Sequence, residues 1–472
     1  MEPWVDVNPL DPDNIVAFWQ QDRWSNGGAR GNVAGVSLNG GMSWQIVPVP
    51  GLTDCTGGDF QRASDPWVSF GTDGTLHQVS LVFDIDTPPR APGGFGPNGL
   101  AVSKSEDGGL TWSEPVLVSF DDNPRILNDK ESITADPDGV HVYVVWDRLQ
   151  ISAGDAINPE NVVGVGFKSP FYLARSSDGG NTWEPRRKIY DPGANNQTIG
   201  HQLLVLPDDT LVDLFNEILN FRNDDGGPQF DFNLSLLRSP DKGKTWLPRG
   251  RALRVAKLLP RTLFTPPPLF IGVYHPDDMS IPLRTADVLP EVAVDRLTGN
   301  LYAVWQDSRF SAGGDFSDPS LLIDEIAFSQ STDGGFTWSE PIKVNQTPEV
   351  GLPLGNRQAF VPSVRVSDDG TVAVTYYDFR NNDPGDPLQE ATTDHFVVHC
   401  NLNCSAPASW HDEIPVTDAS FDFSQAPNAG GLFLGDYVGL TSESTDFLSV
   451  FGQAFSGDPA SVFFRRVSGD GP

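Results

Sequence analysis

Five copies of one eight-residue pattern constrain this chain more than any other feature. They are Ser37–Trp44, Ser105–Trp112, Ser176–Trp183, Ser239–Trp246 and Ser331–Trp338, all of the form Ser-x-Asp/Asn-x-Gly-x-Ser/Thr-Trp. An Asp or Asn in a turn bonds backbone N–H groups two residues on. Gly takes the positive φ that a hairpin turn needs. Trp buries a broad face and keeps one N–H to place. Five such turns, each closing a strand-turn-strand, predict a repeat architecture.

A second repeat lies upstream of each turn: a strand, a Gly/Asp turn, then a strand ending in an aromatic followed by an acid or Arg. Copies run from Trp4 to Arg23, Trp67 to Asp84, Ser132 to Arg148, Gln202 to Glu217, Glu291 to Arg309 and Ser363 to Arg380. A looser seventh runs from Asp436 to Phe451. With the strands on either side of the turn, each repeat holds four. Such a unit cannot bury both of its faces alone, which predicts an all-β, seven-bladed β-propeller of four-stranded antiparallel sheets. Six blades, with the last unit completing the first, is the alternative. In the sixth repeat the turn has become Cys400-Asn401-Leu402-Asn403-Cys404, whose cysteines can bridge if the geometry allows. The seventh repeat lacks a fourth strand of its own. No linker marks a second domain, so residues 1–472 read as one propeller with a long Pro-rich insertion at 251–288. Loops of that length are functional or disordered.

Composition narrows the partners. Acidic residues number 63 against 31 basic, a net charge of −32 that repels nucleic acid and anionic membranes. No stretch is long and apolar enough to span a bilayer, so no membrane insertion is expected. No Cys/His spacing suggests zinc, and no cofactor is expected. A structural Ca²⁺ would suit so acidic a surface, although no EF-hand loop is present.

A four-stranded meander sorts its turns by face. The Trp-containing turns and the first-to-second strand turns share one rim, which makes the repeated motif scaffold. The opposite rim collects the starts of inner strands (Asp65, Lys130, Glu131, His201, Arg357, Asp436, Tyr437) and the ends of second strands (Asp22, Arg23, Asp84, Asp86, Asp147, Arg148, Glu217, Asp307, Arg309, Asp378, Arg380). Convergent polar groups at a hub make a ligand site. The Asp/Arg pairs have a structural reading as well, as ion pairs holding strand ends. Glu217 lacks an adjacent Arg, and an unpaired carboxylate in a desolvated pocket is a general acid or base. His201 and Tyr437 are either pocket groups or packed structural residues. Trp24 and Trp67 are either sugar-stacking platforms or packing between blades.

The repeated turns resemble the Asp-box (BNR) repeats of the sialidase superfamily, over residues 1–467. The resemblance implies a propeller glycosidase, commonly secreted, with an arginine triad for a substrate carboxylate and a Tyr nucleophile paired with Glu. Tyr437 is similar in placement to that nucleophile, and Arg23 to the Arg that ends the first blade's second strand. The triad is incomplete: Glu2-Pro3-Trp4-Val5 stands where the family has an Arg-bearing segment. The expected function is a sialidase-like glycoside hydrolase on an acidic glycan. Tyr437, Glu217 and Asp65 are its catalytic candidates, and Arg23, Arg148, His201, Arg309 and Arg380 its substrate-binding ones. A polysaccharide lyase acting on a uronate, or a non-catalytic glycan- or protein-binding propeller, are the alternatives. An extracellular monomer is expected, with the signal peptide absent from this chain.

Overall fold

The computed structural model describes residues 1–85, 94–151, 167–222, 228–264, 272–311, 316, 318–386, 388 and 390–469. Asp86 and residues 265–271 of the insertion lie outside the described residues. The chain divides into two compact units, Trp4–Val255 and Met1–Pro3 with Ala256–Pro472. The secondary structure is strand throughout, with only short 3-10 turns beside it among the described residues.

The unit Trp4–Val255 holds four antiparallel meanders. The first is Trp4–Val7, Asn14–Arg23, Ala29–Leu38 and Gln45–Pro48; the second is Arg62–Phe70, Leu76–Phe83, Asn98–Ser105 and Val116–Asp121. The third is Ile126–Ala135, Val142–Ile151, Phe171–Ser176 and Arg187–Tyr190; the fourth is Asn196–Val205, Leu211–Arg222, Pro228–Ser239 and Leu253–Leu258. The opening strands lie side by side in chain order. Phe70 N–H donates to Asp6 Oδ2 at 2.8 Å, and Ala135 N–H to Ser69 Oγ at 3.1 Å. Ser132 and Thr134 hydroxyls donate to the carbonyls of His201 and Leu203 at 2.8 and 2.9 Å. This is blade packing: apolar faces of successive sheets meet, with Val16, Phe18, Val68 and Val82 in one cluster and Phe171, Leu203, Phe215 and Trp246 in another.

The second unit repeats the plan. Its sheets are Glu291–Val294, Leu301–Asp307, Glu325–Ser331 and Ile342–Lys343; Ala359–Val366, Val372–Asp378, Thr392–Cys400 and His411–Pro415; and a three-stranded Gly439–Glu443, Asp446–Phe455 and Asp458–Ser468. The Cys400–Cys404 disulfide is formed, with Cα atoms 5.7 Å apart. The long insertion begins later than its composition suggests. Leu253–Leu258 pairs as the fourth strand of the fourth sheet, and the added part proper carries the short strands Gly272–Tyr274 and Pro282–Arg284.

All five Trp turns adopt one hydrogen-bonded form. In the second copy Ser105 Oγ donates to Asp107 Oδ1 at 2.8 Å and accepts from Gly109 N–H at 2.8 Å. Asp107 then takes the N–H and hydroxyl of Thr111 at 2.8 and 2.6 Å. The carboxylate therefore reaches four residues on, not two. Two consecutive glycines at positive φ, Gly108 and Gly109, wrap the chain around it. The turns sit on the rim expected of scaffold: Asn14, in the first sheet's opening turn, donates its amide to Gly108 O at 3.0 Å.

Candidate active site

The opposite ends of the inner strands share a bulge. Two residues oppose one at Asp65-Pro66, Lys130-Glu131, Gly200-His201 and Val361-Pro362. The first residue of each pair is left-handed, at φ 44°, 48°, 70° and 48°. Only Gly200 adopts that conformation freely; elsewhere the fold holds it against a steric cost of order 1–2 kcal/mol. Pro suits the second position, because a bulged residue gives no N–H to the ladder. An Xaa-Pro pair just before an inner strand is thus a sequence signal for the bulge.

In the unit Trp4–Val255 two of these bulges meet. Lys130 Nζ stands 2.7 Å from Asp65 Oδ1, with both side chains about nine-tenths buried. Beside them lies Glu131, itself buried, with no hydrogen-bond partner on either carboxyl oxygen among the described residues. Burial pushes the Glu131 carboxyl well above the usual range; the charges of Asp65 and Asp129 add to that, and Lys130 opposes it. Asp147 closes the group. Burial is the main reason its carboxyl is also raised, followed by the charge of Asp129. Ser169 Oγ lies 2.7 Å from Asp147 Oδ2, and Asp147 Oδ1 has no partner among the described residues. The arrangement puts a buried carboxyl, shifted toward its neutral form, beside a carboxyl bonded to lysine. That is the division of labour acid–base hydrolysis needs.

Of the residues expected to act, Asp65 alone is placed in this group. Arg148 instead makes a forked pair with Asp121, Nε to Oδ2 at 2.9 Å and Nη2 to Oδ1 at 2.5 Å, and Arg186 adds two further bonds to the same carboxylate. Arg309 pairs with Asp307 at 2.7 and 2.8 Å. Arg380 joins Asp378 and Glu413 over the ring of Phe396. These three form the strand-end ion pairs of the structural reading. Glu217 is not an unpaired carboxylate: Arg254 Nε approaches it at 2.5 Å from the fourth strand, and the Tyr190 hydroxyl donates to it. Sequence spacing missed Arg254 because the partner lies 37 residues away. His201 is buried, stacked between Phe171 and Phe215, with Nδ1 2.7 Å from Asp213 Oδ2. Arg23 ends its strand half-buried. Trp67 packs on Trp4, ring centroids 3.4 Å apart, whereas Trp24 remains exposed. Tyr437, in the second unit, is buried, next to Asp436, which takes a fork from Arg284 at 3.1 and 2.7 Å.

Asp136, Asp138 and His141 come close enough together to hold a metal ion. Lys242 Nζ already lies 3.0 Å from Asp136 and 3.3 Å from Asp138, so an ammonium supplies the positive charge there. Among the described residues no helix is long and apolar enough to cross a membrane.

No family model and no curated protein matches this chain. Solved structures do. The chain is similar to the Hadza microbial sialidase Hz136 at 15% identity and TM-score 0.44, over 79% of this chain and 62% of that one, so it spans under two thirds of that protein's length. It is similar to a protein of unknown function from Dyadobacter fermentans at 13% identity and TM-score 0.47, over 99% and 94%. It is also similar to the α-L-arabinofuranosidase Arb93A of Fusarium graminearum at 13% identity and TM-score 0.45, over 85% and 92%. Identities this low leave the substrate and residues of this chain to its own geometry.

Proposed function

We propose that this chain is a glycoside hydrolase in which Glu131 is the general acid and Asp65, steadied by Lys130, is the partner carboxylate. The carrying observation is the Glu131 carboxyl, buried and with both oxygens unbonded among the described residues, beside the Asp65–Lys130 pair. Glycosidic cleavage needs one carboxyl that is protonated before the bond breaks and a second that is ionised. Glu131 would deliver its proton to the leaving oxygen. Asp65 would then meet the positive charge developing at the sugar carbon, as nucleophile or as base for water. Lys130 holds the Asp65 carboxylate in one orientation, and the left-handed backbone at both bulges aims the two side chains at each other. Burial raises the Asp147 carboxyl as well, which favours its neutral form near Lys130.

Hydrolysis of a panel of 4-methylumbelliferyl glycosides, including sialoside, arabinofuranoside and uronide, together with acidic polysaccharides, tests the reading. Glu131→Gln should lower kcat by about 10²–10⁴-fold on whichever substrate is cleaved, since it removes only the transferable proton. A folded protein that cleaves nothing on the panel, or a Glu131→Gln variant with parental kcat, ends the assignment. Tyr437→Phe, run alongside, asks whether the resemblance to a Tyr nucleophile carries over.

A further inference from the structure

The turn following the first sheet's second strand presents a feature unlike the rest of this acidic surface. Trp24 keeps 39% of its surface exposed. Two guanidinium carbons stand by its ring, Arg30 Cζ at 5.1 Å and Arg62 Cζ at 5.3 Å from the centroid. Arg62 is pinned: its Nη1 donates to Asn26 Oδ1 at 2.7 Å and to Gly27 O. Arg30 is exposed, and its guanidinium makes no hydrogen bond or ion pair among the described residues. Asp22 and Asp54 are the acids nearest on the same turns, and neither pairs with Arg30. In a chain of net charge −32, an arginine side chain with no ion-pair partner among the described residues, set beside an exposed indole, is a point where an anion can be met.

We propose that Trp24, Arg30 and Arg62 form a subsite for a uronate residue of an oligosaccharide. The open part of the indole takes the C–H face of a pyranose ring. The Arg30 fork takes the ring's carboxylate in two N–H···O bonds, the geometry in which a guanidinium recognises that group best. The overall field selects among anions. A long polyanion such as nucleic acid is repelled by the acidic surface, while a short oligosaccharide with few charges meets the patch at lower electrostatic cost. The location also fits. Ala29 pairs with Ala63, which sets the turn against the strand Arg62–Phe70, and Arg62 precedes Asp65 by three residues, about 10 Å along that strand. An oligosaccharide seated on Trp24 therefore extends toward the Asp65–Lys130–Glu131 group. Naming the substrate class in this way rests on the hydrolase reading, but binding at the patch does not require turnover.

Titration calorimetry on the full-length Glu131→Gln protein separates the two. Hexagalacturonate should bind, Arg30→Ala and Trp24→Ala added singly should each weaken it by about tenfold or more, and affinity should fall as NaCl rises. The fully methyl-esterified hexamer should bind at least tenfold more weakly than the acid. Both positions are exposed, and unchanged thermal unfolding confirms that the variants are intact. Equal affinity of acid and ester, or parental affinity in both variants, overturns the proposal. Hexagalacturonate binding that depends on Arg30, in a protein whose parent cleaves no glycoside, would leave the subsite standing and remove the hydrolase.

Discussion

Replacing Glu131 by Gln should make the protein more stable at neutral pH, by an amount that grows with pH. In the unfolded chain this carboxyl titrates near its ordinary value of 4.5. In the folded protein it is raised well above that, by burial first and by the charges of Asp65 and Asp129 next. Between those two values the folded state holds a proton that the unfolded state has released. Stability is then complete below the unfolded value and falls as pH rises, by about 1.4 kcal/mol per pH unit. The loss accumulates at that rate for as long as the folded carboxyl stays protonated. Gln has the same shape and never ionises, so the variant escapes this penalty. Asp147 is raised in parent and variant alike and cancels in the comparison. Urea unfolding followed by tryptophan emission at pH 4.5, 5.5, 6.5 and 7.5 gives the difference directly. A parent–variant gap that is flat across this range, or that narrows as pH rises, would show Glu131 ionised in the folded protein and remove it as the acid. The same substitution should lower kcat by about 10²–10⁴-fold, so that stability and activity move in opposite directions, as expected where a site is held in an unfavourable state.

Three further outcomes follow from the scaffold. Lys242→Met should destabilise by about 3 kcal/mol, because it strands the buried Asp136 carboxylate without a cation, leaving it the Tyr143 hydroxyl at 2.9 Å and the Asp138 N–H at 3.0 Å. Lys242→Gly should cost about 1 kcal/mol less, since Lys242 sits at φ 54° where the other turn copies have Gly or a neighbouring Gly pair; equal losses in chemical denaturation would refute the strain component. Asp107→Ala removes the acceptor for Thr111 and Ser105 and should cost about 1–2 kcal/mol, measured the same way, with no change in turnover. His395 is buried against Tyr377 and Phe451, and burial holds its ring down to about 3. Its contribution is present above the ordinary 6.5 and is lost as pH falls toward the folded value, so between pH 6.5 and 5 the parent should lose about 2 kcal/mol more than His395→Gln; parallel pH curves would count against it.

How much was legible beforehand differs between scaffold and site. The Trp turns are local: Ser105, Asp107, Gly109, Thr111 and Trp112 lie within eight residues, so the pattern and the hydrogen bonds it makes are nearly one thing. The alternation of strand and turn likewise follows from short-range rules, and the antiparallel four-stranded sheets were readable from it. The three strands of the last sheet were readable too. The start of the long insertion was not, because Leu253–Leu258 becomes a strand only by pairing with the preceding sheet.

The site was legible as a rim and not as a set of partners. Starts and ends of strands pointed to Asp65, Lys130, Glu131 and Asp147, all on one rim, but gave no reason to prefer Glu131 over Glu217. One stands near the start of an inner strand and the other near the end of a second strand, and neither position is favoured by spacing. What separates them is who stands alongside. Glu217 receives Arg254 and Tyr190, while Glu131 receives no hydrogen bond among the described residues and the field of two neighbouring carboxylates. Residue types and spacing alone determined the repeat and the class of fold, since each depends on contacts within a few residues. Tertiary structure decided which carboxyls are desolvated and which arginines are already taken, because charge pairing and burial are set by groups tens of residues apart that only packing brings together.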